Sequence, residues 1–259
     1  MKLLDGEINQ LNTQGFLILQ ERFSLEEVKT IKSRLPFLFA EKHPGNIKEK
    51  ESQCVRTSMG LHKRDCVFER LVSHPKLIEP AKQIYSEPLY IQQVKVNVKE
   101  AFSGEIWQWH YDFATHREED GVEKPLAVNL HIFLDDVTEF NGPIYFIPQS
   151  HKYGDHAALL DKTSTSYPLW VVSNEVVKSL VESHGIVSAT GKKGTVLIFF
   201  DTIVHGSPGN MSPWDRSIFS LIVNPVSNPP LKPTRPDYKH HLDFSPINPL
   251  SDNCLIRKD

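Results

Sequence analysis

The segment WQWHYDF, residues 107–113, places a histidine and an aspartate two positions apart, His110 and Asp112. On an extended strand, residues i and i+2 share a face, so an imidazole and a carboxylate spaced this way reach one ion together. A second histidine, His205, follows the apolar run VLIFF at 196–200 and precedes Gly206. Two histidines and a carboxylate form the facial triad that binds iron(II) and leaves three adjacent positions open. A 2-oxo acid takes two of those positions and O2 the third. Arg216 opens the next β-rich run. Its guanidinium offers two parallel donors that match a carboxylate, so one acid group of 2-oxoglutarate would sit on the metal and the other on Arg216.

Taken singly, each of these residues has an ordinary reading. A His-x-Asp pair recurs at His241 and Asp243, in a Pro-rich stretch with no histidine after it. That copy reads as coincidental. His205 alone would be a turn histidine, and Arg216 alone a surface residue. Their order along one chain, each at a strand edge, carries the metal-site reading.

The elements that must position them change character along the chain. GFLILQ (15–20) reads as a short strand. A helix then starts at Ser24, with Glu27 completing a capping-box pattern and Val28, Ile31 and Leu35 at helical spacing. Pro36 is expected to kink or end it. HPKLIEPAKQIYS (74–86) reads as a second helix, weakened by Pro80. From about residue 88 the pattern becomes strands. LYIQQVKVNV alternates Val94, Val96 and Val98 with Gln93, Lys95 and Asn97 on the other face. EIWQWHYDF, AVNLHIFL, IYFIP, TVLIFF and SIFSLIV follow as strands, and NGP at 141–143 marks a turn. The insertion 149–190 holds one helical stretch, SNEVVKSLVESHG, and has the length of a lid. Helices first and about eight short strands after them predict an α+β fold with a mainly β core. That core is closed or double-layered. One domain spans 1–259: a mainly helical flank at 1–87, the β core at 88–225, and a Pro-rich tail at 226–259 wrapping the surface without regular structure.

Composition excludes several classes. A net charge of −3 gives no basic surface for nucleic acid. Three scattered cysteines, Cys54, Cys66 and Cys254, form neither a disulfide framework nor a thiolate zinc site. The start MKLLDGEINQ lacks the apolar stretch of a signal peptide, and no apolar run is long enough to cross a membrane. The expectation is a soluble cytoplasmic protein acting on a small molecule, with oligomeric state unreadable.

Four segments carry a family likeness: WHYDF, EEDG (118–121), NGPIYFIPQSH (141–151) and HGSPGNMSPWDRS (205–217). Together they resemble the phytanoyl-CoA dioxygenase-like family of iron(II)/2-oxoglutarate oxygenases, most closely the branch of ectoine hydroxylase and bacterial proline 4-hydroxylase. The resemblance runs from about Arg56 to Asn228. It implies a double-stranded β-helix, a cupin-like jelly-roll with N-terminal and flanking helices. It also implies that His110, Asp112 and His205 hold iron(II), that Arg216 and Ser207 receive the far carboxylate of 2-oxoglutarate, and that Asn97, Trp107 and Asn129 line the cosubstrate pocket, with Lys95 beside them. Gln93 matches a substrate contact. Arg56 lies in VRTSMGLHKRD, similar to the proline hydroxylases, and is a candidate for a substrate carboxylate. Six residues after the first iron ligand these relatives carry a tryptophan; this chain has His116, a smaller, titratable wall.

The implied activity is hydroxylation of a C–H bond in a free amino acid or amino-acid derivative. It is coupled to decarboxylation of 2-oxoglutarate to succinate and CO2, with O2 as oxidant. A halogenase needs a small residue in place of Asp112 and is disfavoured. Desaturation or epimerisation uses the same ligands. A reading from another class is a non-catalytic jelly-roll that binds a metal or small molecule.

Overall fold

A computed structural model of the chain describes residues 2–153 and 156–256. In chain order the elements are α1 (Asp5–Gln14), β1 (Phe16–Leu19), α2 (Leu25–Ala40), β2 (Asn46–Lys48), β3 (Val55–Met59), α3 (Cys66–Leu71) and α4 (Pro75–Ile84), followed by β4 (Leu89–Lys99), β5 (Trp107–His110), α5 (Asp112–Asp120), β6 (Val128–Phe133) and β7 (Ile144–Phe146). Next come β8 (Ala158–Asp161), β9 (Leu169–Val172), α6 (Asn174–His184), β10 (Val187–Ala189), β11 (Val196–Phe200), β12 (His205–Ser207) and β13 (Arg216–Pro225). Among the described residues thirteen strands replace the roughly eight expected: β2, β8, β9, β10 and β12 are only three or four residues long, within turn-rich sequence or the 149–190 insertion, and β3 lies in the stretch read as helical flank.

Two antiparallel sheets face each other. The larger runs β1-β11-β6-β13-β4-β3-β2 and the smaller β10-β7-β12-β5. Side-chain alternation sorts each strand between two cores. On β13, Phe219, Leu221 and Val223 face the helical layer, while Ile218 joins Phe16, Phe133, Ile144, Phe146 and Phe199 between the sheets. On β4, Val94, Val96 and Val98 also pack under the helices. The opposite face delivers Gln93, Lys95 and Asn97 to the interior cavity. The alternation read from the sequence therefore holds.

Helix α2 starts as expected: Ser24 Oγ accepts from the Glu27 amide, and the Glu27 carboxylate accepts from the Ser24 amide. Pro36 does not end it. The helix runs on to Ala40, with Leu35 and Leu38 buried on either side of the proline. Pro80 likewise lies inside α4, where Pro75 occupies the first turn and His74 caps it. In both helices buried apolar contacts outweigh the lost backbone hydrogen bond. The larger departure is at the motif itself. The run EIWQWHYDF is a strand only to His110; Tyr111 is the N-cap and Asp112 opens α5. Asp112 suits the positive N-terminal end of that helix, and Gly121, at φ 69°, closes its C-terminus. The stretch DFATHREED has no apolar stripe, so its helical character is hidden from periodicity.

Residues 226–256 contain no helix or strand, as expected, yet they do more than coat the surface. Ile247, Cys254 and Leu255 join the helix-side core, and His240 is fully buried.

Candidate active site and metal centre

Strands β5 and β12 pair so that His205 lies opposite His110, with ring centroids 4.1 Å apart. The turn through buried Tyr111 brings Asp112 back over them. His110 Nε2 is 3.9 Å from Asp112 Oδ1, and His205 Nε2 is 4.0 Å from Asp112 Oδ2. The ligand atoms all lie within 4.8 Å of one another, and among the described residues they form the single His/Asp/Glu/Cys group able to hold an ion. The pair therefore meets through a strand-to-helix turn and not along one strand face.

The rings are set for metal binding. His110 Nδ1 lies 2.6 Å from the Gln108 carbonyl and His205 Nδ1 lies 3.0 Å from the Ile203 carbonyl. A carbonyl only accepts, so each Nδ1 carries the proton and each Nε2 presents a lone pair. Burial pushes both imidazoles down, His110 to about 3, which keeps them neutral ligands. Burial opposes charge on Asp112, but His205, Lys95 and His110 around it hold the carboxyl well below the usual range. Asn129 Nδ2 donates to Asp112 Oδ2 at 2.9 Å and fixes the carboxylate plane. Two neutral imidazoles and one oriented carboxylate, with no fourth protein ligand grouped with them, fit an iron(II) centre that keeps open positions.

Arg216 lies 2% exposed at the start of β13. Its Nε and Nη2 donate to the Gly142 carbonyl at 3.0 and 2.7 Å, and Nη2 also to Ser207 Oγ at 3.1 Å. It has no carboxylate in salt-bridge contact among the described residues, and burial pulls its pKa down to about 9. A buried cation with neutral partners is costly, and an incoming acid would offset that cost. Arg216, Ser207, Lys95, Asn97, Trp107, Asn129, Gln93 and His116 all line the same cavity as the triad. Burial pushes the Lys95 ammonium down, and Asn97 Oδ1 has no donor among the described residues. Gln93 Nε2 donates to the Lys239 carbonyl at 2.7 Å, tying β4 to the tail.

Arg56 is the candidate that the structure places elsewhere. It does not line the cavity. Its Nη1 donates to Glu105 Oε2 at 2.5 Å and Nη2 to the Ile106 carbonyl at 2.8 Å, with the guanidinium 4.0 Å from the Trp107 ring centroid. It supports Trp107 from behind, its charge already met by Glu105. The second His-x-Asp copy also stays apart from the triad: His241 Nδ1 contacts His62 Nε2 at 3.3 Å, and Asp243 accepts from the Ser245 amide.

Three groups escaped the sequence reading. Arg235, from the tail, lines the cavity and is held by Asp120 through Nε at 2.8 Å and through Nη2. Tyr167, from the loop between β8 and β9, covers the cavity against Trp107, 5.4 Å between centroids. Asp201, wholly buried after β11, faces His116. Only the two acids' place near WHYDF and near His205 hinted at them; no local spacing ties residue 235 to residue 120.

Comparison with known proteins converges on the same chemistry. The family description Phytanoyl-CoA dioxygenase (PhyH) matches residues 11–218. The chain is 35% identical to an L-proline trans-4-hydroxylase of Streptomyces griseoviridis over 98% of each chain. It is 32% identical to an ectoine dioxygenase of Nocardia farcinica, covering 93% of this chain and 88% of the relative. The crystal structure of EctD from S. alaskensis with bound Fe superposes with a TM-score of 0.84 at 29% identity, over 96% of this chain and 87% of that one. The same protein with 2-oxoglutarate and 5-hydroxyectoine gives 0.82 at 28% identity, with the same coverage.

Proposed function

Because the chain belongs to the phytanoyl-CoA dioxygenase family, we propose that it is an iron(II)- and 2-oxoglutarate-dependent hydroxylase of a small amino acid or amino-acid derivative. The observation that carries this is Arg216: a buried guanidinium without an acidic partner among the described residues, on the wall of the cavity that also holds a three-ligand, open-sided triad. The relatives named above are a proline hydroxylase and an ectoine dioxygenase, which supports a substrate of that size and type.

His110, Asp112 and His205 would hold the ion, with Asn129 orienting Asp112. Bound iron(II), with 2-oxoglutarate and O2, supplies the oxidation that hydroxylates a C–H bond while the cosubstrate becomes succinate and CO2. Arg216 and Ser207 receive the far carboxylate of the diacid, and Lys95, Asn97 and Trp107 line its path. Arg235 is the anchor for the substrate's carboxylate: Asp120 holds it by Nε and Nη2, Tyr167 contacts it, and the side chain lines the cavity. Gln93 and His116 complete the substrate side. Ile144, Leu169, Phe199 and Ile218 keep that volume apolar and exclude water. The β8–β9 hairpin covers the mouth. It is pinned by Gln108 Nε2 donating to Asp161 at 2.6 Å and by the Ser166 amide donating to Glu105 Oε2 at 2.6 Å.

The chain acts as one domain in the cytoplasm on a small molecule. No described helix is long and apolar enough to cross a membrane. The test is a panel of free amino acids scored for substrate-dependent succinate, with product NMR locating the new hydroxyl. Iron and 2-oxoglutarate added anaerobically should give a visible charge-transfer band. Absence of that band in fully iron-loaded protein overturns the reading in favour of a non-catalytic jelly-roll.

A further inference from the structure

Helix α5 carries a stripe of three polar residues one turn apart: Asp112, His116 and Asp120. Positions i, i+4 and i+8 share a helix face, each step rising roughly 6 Å. The two ends of the stripe already have work. Asp112 belongs to the triad, and Asp120 holds Arg235. His116 lies midway, 2% exposed, on the cavity wall. Its Nδ1 is 3.4 Å from Asp201 Oδ2.

Asp201 is the unusual member. It is 0% exposed, its Oδ1 has no hydrogen-bond partner, and His116 is its only ion-pair contact among the described residues. Burial raises its carboxyl to about 6, against the lowering effect of His116. A buried acid met by His116 at long range and by the Ala127 backbone, with one oxygen bare, is a net cost to the fold unless something else brings positive charge to it. With Nδ1 turned to Asp201, the ring presents Nε2 to the cavity as an acceptor.

We propose that His116 and Asp201 form the seat of the substrate's amino group, so that the enzyme selects amino acids with a free primary or secondary amine. This rests on the hydroxylase reading above. Three points along α5 then match a zwitterion: the carboxylate on Arg235, the ammonium on His116 Nε2 backed by the Asp201 charge, and the reacting carbon toward Asp112. Three fixed points also set which face of the carbon meets the metal, so one enantiomer is favoured. His116 is the binding residue; Asp201 is a positioning residue that acts through it by fixing the tautomer. A tryptophan at 116 would offer an indole N–H donor and no acceptor, so it could not serve an ammonium in this way.

The experiment uses the full chain loaded with manganese(II) and 2-oxoglutarate without O2. Free L-amino acids are titrated calorimetrically beside their des-amino acids, in which hydrogen replaces the amine. The wild-type protein should bind its best amino acid at least roughly tenfold tighter than the matching des-amino acid, the size of a single charge-assisted hydrogen bond. His116→Phe and Asp201→Asn should bring that preference below about threefold, while the affinity for 2-oxoglutarate stays put. His116→Gln, whose amide oxygen still accepts, should keep part of the preference and guards against misfolding of the phenylalanine variant. A wild-type protein indifferent to the amine, or a preference that survives in a folded His116→Phe, overturns the proposal and leaves the hydroxylase reading standing. No binding of any amino acid, and no succinate from any, overturns both.

Discussion

Replacing Arg216 by glutamine separates the cost of the site from its use. In the unliganded fold the guanidinium is desolvated and, among the described residues, hydrogen-bonds only to the Gly142 carbonyl and the Ser207 hydroxyl. Removing a buried cation without a counter-charge relieves desolvation, and the glutamine amide can still donate to Gly142. The apo-protein's urea midpoint should therefore hold or rise slightly. Affinity for 2-oxoglutarate should collapse. An acid on Arg216 and Ser207 gains about two charge-assisted hydrogen bonds, each worth about 1.5–3 kcal/mol. Losing about 3–6 kcal/mol corresponds to a Kd raised roughly 10²–10⁴-fold. Arg216→Lys, a point charge without the fork, should fall between. The assay is an anaerobic titration of the iron-loaded protein with 2-oxoglutarate, followed by the charge-transfer band. A Kd within threefold of wild type in Arg216→Gln would show that the diacid is anchored elsewhere.

Four further outcomes follow from the geometry. Asn129→Ala frees the Asp112 carboxylate and should lower iron affinity about 10–100-fold in a chelator competition, with the fold intact. Asp120→Asn loosens Arg235 and should raise the KM for substrate about tenfold or more while the KM for 2-oxoglutarate stays constant. Glu27→Ala removes the acceptor of the Ser24 amide in the α2 capping box and the partner of Lys76 (2.7 and 2.8 Å), and should cost about 3 kcal/mol in urea unfolding without changing turnover per folded molecule. Apo-protein stability should fall as pH drops below about 6.5. His110 and His62, both held to about 3, stay neutral in the fold and take a proton on unfolding. Each costs up to about 2 kcal/mol at pH 5, read as a shift in the urea midpoint between pH 7 and pH 5. Asp201 works the other way. Its carboxyl, raised to about 6, contributes stability below the unfolded value that is lost as pH rises through 6. An unchanged midpoint across that range would mean the histidines are protonated in the fold.

What the sequence settled by itself was the chemistry that local type and order can carry. His110, Asp112 and His205 are residue types able to ligate a metal and Arg216 one able to receive an acid, and the alternation of β4 already put Gln93, Lys95 and Asn97 on one face. Those properties travel with the residues. The strand read through Asp112 was wrong because α5 has no apolar stripe to announce it, and the triad survived because a tight turn brings His110 and Asp112 as close as a strand face would. Arg56 was misplaced because a short-range likeness says nothing about Glu105, 49 positions away, which takes its charge. Only the tertiary structure could bring Arg235 to Asp120 across 115 positions, or set Asp201 behind His116 across 85. Such pairings depend on which strands neighbour each other and on where the irregular tail crosses the sheet. Both are fixed by burial of apolar surface over the whole chain, and no short stretch of sequence encodes them.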